Sequence, residues 1–179
     1  MIVTSLLAAA VLSAADTKIP ENLQVPTGNH VVLTALAEGS QNYVCLPGKD
    51  GAGFAWALFG PQATLFDAKQ PDAPIGTHFS AADAGGTVRP SWQANDGSRV
   101  RGTLQATATT GGADNIPWLL LKTTAEKGKA GGSRFASISY IQRIETKGGI
   151  APSRGCVAAS DVGSKSFVPY SATYVFFAP

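Results

Sequence analysis

The stretch NDGSRVRGTLQATA, residues 95–108, decides the fold. From Arg99 to Ala108 it alternates, with Val100, Gly102, Leu104, Ala106 and Ala108 on one side and Arg99, Arg101, Thr103, Gln105 and Thr107 on the other. A period of two marks a half-buried antiparallel strand, because successive side chains of an extended chain point to opposite faces. Asn95-Asp96-Gly97 just before it is a hairpin signal, since these residues accept the positive φ that a tight turn demands. Residues up to Gln93 are therefore the partner strand, with Trp92 beside the turn.

Outward from this hairpin the same pattern recurs in short pieces. Residues 31–37, 43–46, 54–59 and 63–66 each read as a strand bounded by Gly, Pro or Asp, and 136–145 and 171–177 are rich in Ile, Tyr, Phe and Val, as strands prefer. The exception is 117–127. There Asp114 or Asn115 can cap, Pro117 suits a first turn, and Trp118, Leu121 and Ala125 recur at helical spacing, so the spacing predicts a short helix. A buried strand over 118–121 competes, because a four-residue apolar run has no period to read. Residues 128–133, with three glycines, form a loop. Eight to ten strands and at most one helix give a mainly β chain, either an antiparallel β-sandwich or a closed β-barrel.

Residues 1–15 carry no charged side chain and run apolar from Ile2 to Leu12, then Ser13, Ala14 and Ala15. That outline is an export signal cleaved before Asp16, too short for a spanning helix, which needs about 20 apolar residues. A buried N-terminal strand or helix is the competing reading. Residues 16–179 are then one mainly β domain, secreted or periplasmic. The 14 Lys and Arg against 12 Asp and Glu leave a net charge of +2 without a basic cluster, so nucleic acid is not an expected partner. No second apolar stretch reaches membrane length.

Cys45 and Cys156 are the two cysteines, and in an oxidising compartment they form a disulfide closing a long loop; two free buried thiols are the alternative. Two separated cysteines and two histidines lack metal-ligand spacing, so no metal is expected. No Gly-x-Ser-x-Gly elbow and no phosphate-binding glycine loop occurs, and no cofactor is expected.

Polar residues in apolar surroundings are the candidates for function, because an unpaired buried polar group costs roughly 1 to 3 kcal/mol. Gln142 shares a strand face with Ile138, Tyr140 and Ile144, while Arg143 and Glu145 point the other way as a structural ion pair with cross-strand neighbours. Its amide either serves the backbone or lines a pocket. His78, between Gly76-Thr77 and Phe79, is a ring the fold can hold; His30 is the weaker of the two histidines. Asp96 is a carboxylate already explained by its turn. A ligand site is expected to gather His78, Trp92 and Gln142, which combine a titratable ring, an aromatic surface and an amide.

Several phrases taken together carry a resemblance: Trp56 with Gly60-Pro61-Gln62-Ala63, Gly76-Thr77-His78, Trp92 with Asp96-Gly97-Ser98, and Pro117-Trp118-Leu119-Leu120-Leu121. Tyr140-Ile141-Gln142-Arg143, Gly148-Gly149, Ala151-Pro152, Cys156 and Val168-Pro169-Tyr170-Ser171-Ala172 continue it. The chain resembles a family of small exported bacterial and fungal proteins of unknown function, over nearly its whole mature length. Some fungal members bear a malate-dehydrogenase-like label, which this sequence does not support, since no Gly-x-Gly-x-x-Gly turn opens a βαβ unit. The resemblance implies export and one domain, and it brings no site residues. The expected function is a secreted binding or surface-interaction protein for a small molecule or glycan. An extracellular hydrolase or isomerase using His78 and a carboxylate such as Asp96 is the alternative, and a structural cell-envelope protein is the third.

Overall fold

A computed structural model describes residues 17–128 and 131–179; the predicted export signal lies outside them. Eight antiparallel strands follow one another around the sheet: β1 (His30–Pro47), β2 (Phe54–Asp67), β3 (Gln70–Ala82), β4 (Val88–Ala94), β5 (Arg99–Ala108), β6 (Trp118–Glu126), β7 (Tyr140–Gly148) and β8 (Lys165–Ala178). Strand β8 pairs with β1 from His30↔Ala178 to Val44↔Lys165, so the sheet closes on itself. Of the two architectures left open by the sequence, the protein takes the closed barrel, which leaves no unpaired sheet edge.

The Asn95-Asp96-Gly97 hairpin is present. Gly97 takes φ 81°, its N–H donates to the Ala94 carbonyl, and Ala94 N–H donates to the Ser98 carbonyl. Segments 31–37 and 43–46 belong to one strand, as do 54–59 and 63–66. Glycine lets each pair join. A side chain at Gly39 would collide with the Gln62 carbonyl across the ladder, and Gly60 takes φ 139° opposite the register shift at Asn42/Tyr43. Gly39 allows the two strands to approach closely and Gly60 sits at a bulge, so neither ends its strand.

The predicted helix over 117–127 is strand β6. Its apolar run is continuous because both faces are covered. Leu119 and Leu121 pack toward the barrel interior, while Trp118 and Leu120 pack outward against Leu23 of the segment that precedes β1. The alternation of β5 is likewise broken late. Its ladder shifts between Leu104 and Ala106, so Val100 and Gly102 face inward whereas Ala106 and Ala108 lie under Leu23. Strand β7 starts at Tyr140, and residues 136–139 belong to the preceding loop.

Large rings fill the interior where small residues make room. Trp92, Tyr174, Phe176 and Phe135 sit among Ala35, Ala37, Ala63, Ala94 and Ala172. A side chain on Gly102 would strike the Trp92 ring and Leu121. Each end of the barrel is closed by a long loop. At the upper end, where the Asn95-Asp96-Gly97 turn lies, Phe135 stacks on Phe176 with centroids 4.9 Å apart. At the lower end the β7–β8 connection folds back, fastened by the Cys45–Cys156 disulfide, whose Cα atoms are 5.4 Å apart. Trp56 adds a hydrogen bond from Nε1 to the Arg154 carbonyl. Among the described residues no helix is long and apolar enough to cross a membrane.

Candidate functional site

His78 on β3 and Trp92 on β4 are in register, and both point inward. Their rings stack with centroids 4.4 Å apart and planes 9° apart, and Tyr174 meets each edge-on at 5.1 and 5.4 Å. The two expected partners therefore come together, 2% and 1% exposed, in the middle of the barrel. His78 Nδ1 lies 2.9 Å from the Ser91 carbonyl. A carbonyl only accepts, so Nδ1 carries the proton and donates. Burial pushes the His78 pKa down to about 3, against the raising effect of that hydrogen bond, with the Arg143 charge lowering it further. The ring is neutral throughout the physiological range.

Gln142 does not join them. It pairs with Leu120 and Val175, residues of the outer face, and its Nε2 donates to the Leu23 carbonyl at 2.7 Å beneath the N-terminal segment. The face assigned to Gln142, Tyr140 and Ile144 is apolar because that segment covers it. The expected three-residue grouping thus spans opposite faces of the wall.

Asp96 does not meet His78 either. One carboxylate oxygen accepts from the Ser98 hydroxyl at 2.6 Å and the Ser98 N–H at 2.9 Å; the other accepts from the N–H groups of Ser133 and Arg134, both at 2.9 Å. Chiefly the Ser98 hydroxyl, then the backbone donors, hold its carboxyl down to about 2. The Ser98 hydroxyl in turn accepts from Phe135 N–H at 3.0 Å. This turn carboxylate fixes the upper loop and has no lone pair aimed at a substrate.

The inward side of the lower half was missed by the sequence reading. Arg143 is cross-strand from Tyr174 and Leu119, so it faces the interior, where Nε and Nη2 donate to the Pro117 carbonyl at 3.2 and 2.8 Å. Among the described residues neither it nor Glu145 forms an ion pair. Glu145, at φ 52°, accepts instead from the hydroxyls of Thr173 and Thr17 at 2.8 and 2.6 Å. The expected structural ion pair is absent because the register shift between Ile144 and Lys147 turns Glu145 away.

Outside the wall, β1, β2 and β3 form an open groove of about 640 Å³. Two rows line it. Glu38, Thr64 and Thr77 are in register, as are Ser40, Gln62 and Phe79, with Phe59 at the lower edge. Carboxylate, amide and hydroxyl groups thus share a surface with two phenyl rings, each with a cation above it: the Arg99 guanidinium 5.8 Å from the centre of Phe79 and Lys165 Nζ 6.0 Å from that of Phe59. Gln62 and Thr77 fall within phrases that carry the family resemblance, but nothing in those phrases marks a surface; pairing across three strands is what assembles the residues.

Neither a curated protein nor a solved structure matches the chain. A family model described as Protein of unknown function (DUF3455) matches residues 26–178, from just before β1 to the last residue of β8, and the chain belongs to that family.

Proposed function

We propose that the protein is an exported binding barrel that holds a glycan or a similar polyol in the groove over β1–β3. The observation carrying this reading is the mixture in that groove: Phe59 and Phe79 supply apolar ring surface for the C–H side of a sugar, while Glu38, Gln62, Thr64 and Thr77 offer donors and acceptors to its hydroxyls. An open surface suits a chain ligand better than an enclosed small molecule. The disulfide is compatible with an oxidising compartment, which supports export. A hydrolase built on His78 and Asp96 finds less support. The imidazole is buried under Trp92, and the carboxylate is spent on the upper loop.

The test is titration of the purified protein with cell-surface oligosaccharides, followed by calorimetry or by amide shifts. A binder should perturb residues of β1–β3, and Phe79→Ala or Gln62→Ala should weaken binding about tenfold, the equivalent of about 1.4 kcal/mol. Perturbations confined to other strands, or no binding across a broad oligosaccharide set, would discard the reading.

A further inference from the structure

Strands β1, β7 and β8 bring an unusual set of groups together inside the lower half of the barrel. Arg143 faces inward without a carboxylate partner among the described residues. Gln41 Nε2 is buried without a hydrogen-bond partner, and the hydroxyls of Tyr170 and Tyr174, equally buried, face each other and the Arg143 guanidinium without forming an aligned hydrogen bond, in residues only 2%, 4% and 1% exposed. They belong to one place. The Gly149 backbone roofs it, since a side chain there would lie 2.9 Å from Tyr170 Cβ and 3.0 Å from Gln41 Cγ. Tyr43 closes the rim by donating its hydroxyl to the Gly149 carbonyl at 2.6 Å. Arg143 is near enough to Tyr43, Tyr170 and Tyr174 to influence their ionisation.

All of these groups can donate. Burial first, eased by the Arg143 charge, raises the hydroxyls of Tyr43 and Tyr174, and burial raises that of Tyr170, so each keeps its proton at neutral pH. The amide nitrogen of Gln41 only donates, and Arg143 has donors beyond the two spent on Pro117. A site with surplus donors and one uncompensated positive charge is short of one thing, a negatively charged acceptor. Water would answer the donors but not the charge.

We propose that this inward cluster binds a small monoanion, of carboxylate or halide size, accepted by Arg143, Gln41 and the Tyr170 and Tyr174 hydroxyls. The site is distinct from the outer groove, so it stands or falls independently of the glycan reading. One charge matches one guanidinium, and the close approach of the Gly149 backbone to Tyr170 and Gln41 favours a compact ion over a larger one.

The experiment is a melting-temperature series on the oxidised protein in sodium formate, acetate and chloride, against sodium sulfate at equal ionic strength. At least one monoanion should raise the melting temperature in a saturable manner, with a dissociation constant unaffected by an outer-groove variant such as Phe79→Ala. Gln41→Leu removes one donor and keeps the charge, so it should weaken the effect several-fold. Arg143→Gln, if it folds, should abolish it. A response equal for all salts, or one unchanged in Gln41→Leu, would overturn the proposal. If Arg143→Gln fails to fold, the Gln41→Leu comparison still decides.

Discussion

The two ends of the barrel are closed by loops of similar purpose and different chemistry. At the upper end one exposed carboxylate, Asp96, gathers the backbone of Ser133 and Arg134 and, through Ser98, seats Phe135 on Phe176. At the lower end a covalent bond joins the end of β1 to the β7–β8 connection, with Cys45 N–H donating to the Ser164 carbonyl and Gly163 N–H donating to the Cys45 carbonyl. A hydrogen-bonded fastening opens with protonation or mutation; a covalent one opens with reduction. The contrast teaches that the upper loop is held from inside the fold, by burial of Phe135, whereas the lower loop has few buried residues of its own. Cys156 is buried there, but Val157 and Val162 are exposed.

Reduction should therefore have the largest effect and should fall first on the lower end. The bond spans 111 residues. Chain entropy puts its loss at about 4 to 5 kcal/mol, because the open denatured chain regains that freedom. Urea unfolding of oxidised protein against Cys45→Ser/Cys156→Ser measures the loss. Hydrogen exchange then sharpens the comparison: amides of 149–164 should lose protection while Ser133, Arg134 and Phe135 keep theirs. Equal loss at both ends would break the distinction.

Next in size is Asp96→Ala. It removes four hydrogen bonds at once, two of them to the upper loop. At about 0.5 to 1.5 kcal/mol for each net bond, with some replaced by water, the expected cost is about 2 kcal/mol. Faster exchange should appear at Ser133 and Arg134, with the disulfide loop unaffected. Asp96→Asn should recover part of the loss, because its carbonyl oxygen still accepts.

Legibility in the sequence follows the same division between local and distant causes. The Asn95-Asp96-Gly97 turn and the first half of β5 were readable because a hairpin's chemistry lies within a few residues. The disulfide was readable because only one pair exists. What could not be read depended on partners far along the chain. The face of Gln142 is set by Leu23, 119 residues away, and the apolar run of 118–121 looked helical because both of its faces are covered, one by that same N-terminal segment. An inward arginine is invisible to any pattern that assigns charged residues to solvent. The outer groove is equally silent, since Glu38, Gln62 and Phe79 meet only through the registers of three strands.

The smallest effect comes from between the two ends and separates them from the middle. His78 is buried and neutral beneath Trp92, with its pKa pushed down to about 3. In the unfolded chain a histidine protonates near pH 6.5. As pH falls below 6.5 the unfolded state therefore binds a proton that the folded state refuses, and stability present at neutral pH is lost progressively toward pH 3. At pH 5.5 the loss attributable to this ring is about 1.4 kcal/mol relative to pH 7.5. Asp96 has the same sign of dependence in a lower window, through its ionised form: its contribution is complete above about pH 4 and fades as pH falls through about 2. Between pH 6.5 and 5 the barrel should thus weaken in its middle while the upper loop stays fastened. Urea midpoints at pH 7.5 and 5.5 for wild type and His78→Gln check this. The variant should be less stable at neutral pH, because it loses the stacked ring, yet show a flatter pH dependence across that interval. An equally steep dependence in His78→Gln would assign the acid sensitivity to some other group.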